Sequence, residues 1–395
     1  MTPVLGPHNR SVEVFYPVTN SWTLTSDFND TPEGIATIDY THVYQFPIDH
    51  VDEHSGTRYD VVMMLGGSAE PFLLFMNGKQ SIWRPSRNLR PGAQQFKDQH
   101  LKDDTAPIKI QPNHCSSGAM LPIRLPEASW GYTQGSVINV GGETGSSMEG
   151  NIDVYEPVQN QWRPSIPMIG RRCHPNVTIL PDGRMLILAG YADNGSDQTG
   201  YAEYVDPKNN FAHSVGVARM PEIRGYHSMV VLLPDGRVFV GGGNNNGKGG
   251  NERPNFRYYY PDYMFKERPK ILSVQRVIKI NNAFSVFVPY LTSVDEVSLL
   301  ALGAMTHSFD MSQRSVQLRL SPTHTTVKLE AGKPVPVDLS QCMDHGEVMR
   351  ANTCHDLYFV QAPSSPNLAP PGHYMLFVLD KNRVPSIGEI VKLEP

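Results

Sequence analysis

Short stretches in which apolar and polar residues alternate recur along the chain. Val12-Glu13-Val14-Phe15-Tyr16 is one, Ile152-Asp153-Val154-Tyr155 another, and Tyr201-Ala202-Glu203-Tyr204-Val205 a third. A period of two places one set of side chains on a single face, the signature of a half-buried β-strand. Two of these strands open into the same phrase. Pro17-Val18-Thr19-Asn20-Ser21-Trp22 follows the first and Pro157-Val158-Gln159-Asn160-Gln161-Trp162 the second, so each is predicted to turn at Pro-x-x-Asn. No apolar run approaches the length of about 18 residues that a spanning helix needs.

A second phrase lies between these copies. Val177–Leu180 runs into Pro181-Asp182-Gly183-Arg184 and out through Met185–Gly190. Val230–Leu233 runs into Pro234-Asp235-Gly236-Arg237 and out through Val238–Gly242. Each is predicted as a hairpin: Pro presets φ, Asp tolerates the bend and Gly accepts the left-handed position. The two hairpins lie 53 residues apart, from Leu180 to Leu233. Diglycine-type endings fall near Gly67, Gly142, Gly190 and Gly242. A period near 50 residues with several short strands per period predicts an all-β chain built as a kelch-type β-propeller. About four to five blades are counted, an incomplete ring. Val12–Tyr16 is read as the outer edge of an earlier blade, and Tyr258–Phe265 as the strand finishing the last. The repeat stops near Lys266. Beyond it, Ser285–Val288, Ser315–Leu320 and Met375–Asp380 alternate between turns and predict an immunoglobulin-like β-sandwich. The predicted domains are a partial propeller over 1–266 and a sandwich over 267–395.

Composition narrows the function classes. Lys and Arg total 34 against 39 Asp and Glu, a net charge of −5, which lacks the basic surface of a nucleic-acid or anionic-membrane binder. With 33 Gly and 33 Pro the chain is rich in turns, and 39% hydrophobic residues allow a sizeable core. Met1–Arg10 has no basic start followed by an apolar stretch, so no signal peptide is read there.

Four segments carry a family likeness. They are Arg224-Gly225-Tyr226-His227-Ser228, continuing through the second hairpin; Arg268-Pro269-Lys270-Ile271; Met305-Thr306-His307-Ser308 with Gln313-Arg314; and Pro371-Gly372-His373-Tyr374 with Val384-Pro385-Ser386. In this order and spacing the last 200 or so residues resemble the galactose oxidase and glyoxal oxidase family of copper radical oxidases. The resemblance implies a propeller followed by an early-set sandwich, and one copper ion with no organic cofactor. Tyr226, His227 and His307 would be its ligands, with Tyr226 also the catalytic proton acceptor. Imidazole nitrogens with a weaker phenol oxygen suit Cu(II). Taken singly, Tyr226 reads as axial packing, His227 as a structural histidine and His307 as a loop histidine. The metal reading requires His307 to reach the Tyr226–His227 pair across two folding units. Adjacent strand residues face opposite ways, so joint ligation by Tyr226 and His227 needs an irregular backbone, for which Gly225 is the expected cause. His174, at the matching strand start one repeat earlier, reads as a structural residue lining the axial opening.

The family oxidises a primary alcohol or aldehyde with dioxygen to an aldehyde or acid and hydrogen peroxide. It uses a second tyrosine, cross-linked to a cysteine, as a radical. No tyrosine here stands in a matching setting; Tyr40, Tyr44 and Tyr59 lack it, and neither Cys115 nor Cys173 follows the family's placement. The resemblance therefore implies an oxidase scaffold inactive as it stands, either truncated at its N-terminal side or a natural short form that has lost the activity, with an alcohol, aldehyde or carbohydrate as ligand. The alternative is a non-catalytic propeller module binding carbohydrate or protein. Cys342 and Cys354, 12 residues apart, are a possible disulfide, worth about 3 kcal/mol on a loop-entropy basis. Cys115 and Cys173 are read as free and buried. Asn9, Asn29, Asn176 and Asn194 begin glycosylation triplets. Family members are secreted, so an extracellular location is expected.

Overall fold

The computed structural model describes residues 3–4, 12–16, 19–26, 42–47, 50–65, 70–78, 80–86, 91, 115–125, 131–144, 147–192, 200–244, 252–330, 333–338, 342–344, 347–348 and 354–395. Five antiparallel sheets follow one another along the first two thirds of the chain. The second orders His42–Gln45, Arg58–Leu65, Phe72–Asn77 and Gln80–Pro85. In the third, Ser117–Met120, Val137–Val140, Asn151–Glu156 and Gln161–Trp162 follow in sequence. The fourth runs Asn176–Ile179, Met185–Leu188, Tyr201–Asp206, Ala212–Arg219, and the fifth Ser228–Leu232, Val238–Gly242, Phe256–Tyr259. The first strands of successive sheets touch: His42–Gln45 meets Ser117–Met120, which meets Asn176–Ile179, which meets Ser228–Leu232. This is propeller architecture, each sheet stacking a buried face on its neighbour.

Two edges differ from expectation. Val12–Tyr16 is not an outer edge; it is the middle strand between Pro3–Val4 and Ser21–Ser26. Its Val14 packs on Val62, Leu74 and Met76 of the second sheet. The final strand is Phe256–Tyr259, and Asp262–Phe265 is a short 3-10 turn instead. Pro261 has no N–H to donate, which ends the ladder there.

The paired hairpins take the predicted form. The Gly183 N–H donates to Leu180 O and the Gly236 N–H to Leu233 O, both at 2.9 Å, with φ of 84° and 90° at the two glycines. Asp182 and Asp235 each accept the backbone N–H two residues on, at 3.0 Å.

Beyond Ser273, strands from both layers of a sandwich form one continuous sheet path. Ser315–Glu330 joins the layers, pairing first with Glu296–Ala301 and then, past a register shift between Leu320 and His324, with Cys354–Gln361. The sandwich docks on the hairpin ends of the propeller sheets. Arg383 donates to Asp182 O at 3.0 Å, Arg268 to Asp235 O at 2.6 Å, and the Gly388 N–H to Pro234 O at 2.7 Å. Ile123–Leu125 adds a parallel strand to Ser315–Glu330. Val230, Leu232 and Tyr263 share one core with Leu300, Met375 and Phe377, so the two units are fused through buried apolar surface. With the hairpin ends held below, the opposite ends of the inner strands, at His174 and Tyr226–His227, form the far rim.

Candidate metal centre

A hairpin of the sandwich unit, Met305–Thr306 with Phe309–Asp310, rises between the sheets. It touches the inner strands Ser117–Met120, Asn176–Ile179 and Ser228–Leu232. The Ser117 hydroxyl donates to Ser308 O at 2.5 Å, and Phe309 is buried against His42, rings stacked at 4.3 Å. At its tip His307 and Ser308 are both left-handed, with φ of 48° and 67°. That two-residue reversal turns His307 towards the rim.

The three residues singled out in the sequence come together there. His307 Nε2 lies 3.2 Å from His227 Nε2, with ring centroids 4.9 Å apart. Tyr226 stacks on His227 at 3.7 Å and lies 5.7 Å from the His307 ring. The backbone explanation needs correction. The left-handed residue is His227 itself, at φ 63°, not Gly225. Gly225 is required for space: a Cβ there would come within 2.5 Å of Tyr191 Cδ1 and 2.9 Å of Asn244 O. Arg224, fully buried, fixes the turn by donating to Gly242 O at 2.8 Å and Asn255 O at 3.1 Å. Arg172 does the same one sheet earlier, bonding Ala189 O, Tyr201 O and the buried Glu203 carboxylate.

Burial holds the His307 imidazole below its ordinary range, and the neighbouring His227 adds to this. A neutral ring keeps a lone pair for a metal. His307 Nδ1 meets the Thr306 hydroxyl at 2.7 Å, the kind of outer contact that orients a ligating ring. Two imidazole nitrogens bound cis to one ion at about 2.0–2.1 Å stand about 3 Å apart, so the 3.2 Å separation fits a shared ion.

The sequence reading missed two features. His174 does more than line an opening: it is 8% exposed, left-handed at φ 53°, and packs 4.9 Å from Tyr226. Its offset from the first hairpin, three residues before Val177, matches that of His227 before Val230 and was the available signal. Cys115 and Cys173 are not free. They are bonded, with Cα atoms 5.2 Å apart, and the His174 N–H donates to Cys115 O at 2.7 Å. Cys342 and Cys354 form the other disulfide, Cα atoms 6.0 Å apart, so no cysteine is free. Asn176 is fully buried and donates to the Ser228 hydroxyl at 2.9 Å, which removes it as a glycosylation site. Asn9, Asn29 and Asn194 lie outside the described residues, as does Tyr40. Tyr44 packs edge-on to Phe309, 5.4 Å from it. Tyr59 lies by His50 and Phe75 in the second sheet, and neither tyrosine contacts the rim trio.

Residues 268–393 match the family profile described as galactose oxidase-like, early set domain. A galactose oxidase of Gibberella zeae is 27% identical over 178 residues, 43% of this chain and 22% of that protein. An aldehyde oxidase GLOX of Vitis pseudoreticulata is 34% identical over 185 residues, 44% of this chain and 30% of that protein. Residues 268–393 are thus a galactose oxidase-like early-set domain, and the chain is similar to galactose and glyoxal oxidases. It spans less than a third of the length of these two relatives. Among solved structures, a fungal alcohol oxidase in complex with copper shares the fold, with a TM-score of 0.66 and 17% identity over 98% of this chain and 70% of that one. That likeness of fold extends over the described propeller sheets as well as the sandwich. No helix among the described residues is long and apolar enough to cross a membrane.

Proposed function

We propose that the chain binds one copper ion through His227, His307 and Tyr226, on a scaffold of the alcohol- and aldehyde-oxidase type. The observation that carries this reading is the 3.2 Å approach of two imidazole nitrogens from separate folding units, with a tyrosine ring stacked beside them. Copper, when bound, supplies a one-electron couple; oxidation of an alcohol or aldehyde with reduction of dioxygen to peroxide needs two electrons. The chain's own residues leave His227 exposed, so a small alcohol, aldehyde or carbohydrate can approach from the rim. Tyr226 is the group placed to accept the substrate proton. Both disulfides support an oxidising, extracellular setting. The order of the sheets supports a division into propeller over 1–266 and sandwich over 267–395.

Among the described residues no tyrosine is joined to a cysteine to supply the second electron. The family's radical tyrosine is linked to a cysteine, and all four cysteines here are engaged in disulfides. We therefore assign this chain copper binding without peroxide-forming turnover of its own, which also accommodates a carbohydrate- or protein-binding role for the rim. Metal analysis of purified chain after copper loading tests the site. One copper per chain is expected, falling to below a tenth in His307→Ala and weakened in Tyr226→Phe. Unchanged copper content in His307→Ala refutes the ligand set, while peroxide formed from galactose or methylglyoxal refutes the missing electron source.

A further inference from the structure

A cavity of about 480 Å³ opens between the inner strand His42–Gln45, Met120, the segment 309–314 and the sandwich loop 370–374. Its volume falls within the range of about 300–1,000 Å³ typical of small-molecule sites. Arg314 lines it and is 7% exposed. The guanidinium donates to Gln45 O at 2.7 Å and to Met120 Sδ at 3.0 Å. Neither acceptor carries charge, and a thioether is a weak one. Asp310, the carboxylate among the lining residues, is turned to its own hairpin, accepting from the N–H groups of Ala304 at 2.8 Å and Ser312 at 3.0 Å. Among the described residues no carboxylate pairs with Arg314. Burial pushes its pKa down to about 10, with Tyr374 pulling the other way.

A buried guanidinium in this state lacks the counter-charge that protein interiors ordinarily supply. We propose that the cavity binds a small monocarboxylate, whose carboxylate pairs with Arg314. A planar fork of N–H donors matches a carboxylate. Val43, Met120, Leu302 and Phe309 add apolar wall that suits a short carbon chain and gives nothing to inorganic phosphate or sulfate. The site uses none of Tyr226, His227 and His307, so it stands apart from the copper reading. Phe309 connects the two, since it lines the cavity and sits two residues beyond His307.

Calorimetric titration of the full chain with butyrate, at constant ionic strength, tests the proposal. One saturable site is expected, with butyramide and inorganic phosphate each bound at least about tenfold more weakly. Arg314→Gln, which keeps hydrogen-bond donors, should lower butyrate affinity by about tenfold or more. Leu302→Trp is the control against loss of folding. Leu302 stands at the mouth, 41% exposed, so a larger ring there should block entry while the melting temperature and Arg314 stay as they were. No saturable binding at millimolar butyrate, equal binding of butyramide or phosphate, or unchanged affinity in both folded variants overturns the proposal.

Discussion

Replacing the Cys115–Cys173 bridge by two alanines should cost about 4 kcal/mol of stability. The bond closes a loop of 58 residues, against 12 for Cys342–Cys354. The loop-entropy relation gives about 4 kcal/mol for the longer loop and about 3 for the shorter at 25 °C. The longer loop contains the whole third sheet, from the start of Ser117–Met120 to the start of Asn176–Ile179. The bond therefore restrains much more of the unfolded chain than a local staple does. Urea unfolding followed by circular dichroism, on the wild type and on each double variant, measures both. The Cys115/Cys173 variant should show the larger fall in midpoint, with a steeper denaturant slope as its unfolded state expands. Intact-mass measurement belongs to the same experiment. Reduction should return two hydrogens for each disulfide, four in all, whereas a cysteine–tyrosine thioether would hold its pair back. A loss below about 1 kcal/mol, a larger effect from the 12-residue bridge, or a reductant-resistant pair of missing hydrogens would refute the reasoning.

Gly225→Ala should destabilise the chain by about 1–3 kcal/mol, because the added methyl meets Tyr191 and Asn244 O. Copper affinity should fall with it as Tyr226 and His227 are displaced; an unchanged melting temperature argues against the close approach. His42 makes a pH prediction. Burial pushes its imidazole down to about 3 against a Ser116 backbone bond that raises it, whereas the unfolded ring titrates near 6.5. Between those values the unfolded state binds more protons, so stability falls as pH is lowered, by up to about 1.4 kcal/mol per pH unit. His42→Phe, which keeps a ring against Phe309, should flatten that slope in urea midpoints taken across the range; an identical slope refutes the assignment.

Much of the architecture was legible because blade strands and their turns are local features. Leu180–Gly183 and Leu233–Gly236 fold through φ preferences and bonds spanning three residues, so their phrases announce them. The edges were less legible. Val12–Tyr16 looks alike as an outer or a middle strand, since alternation reports one buried face and not the number of neighbours. The site residues were named from motifs, yet the motif misplaced the backbone reversal on Gly225. Either a left-handed φ or a close approach can require glycine, and only contacts tell them apart.

By itself, the amino-acid order determined a turn-rich chain of alternating strands in repeating units, a change of architecture near Lys266, and the three side chains worth testing as ligands. Those are properties of period, spacing and residue type. Tertiary structure decided the rest. It paired Cys115 with Cys173, brought His174 against Tyr226, buried Asn176, and left Arg314 beside a cavity with no carboxylate partner among the described residues. Each depends on segments far apart in the chain meeting at the hub, and local pattern carries no record of which distant surface a residue will face.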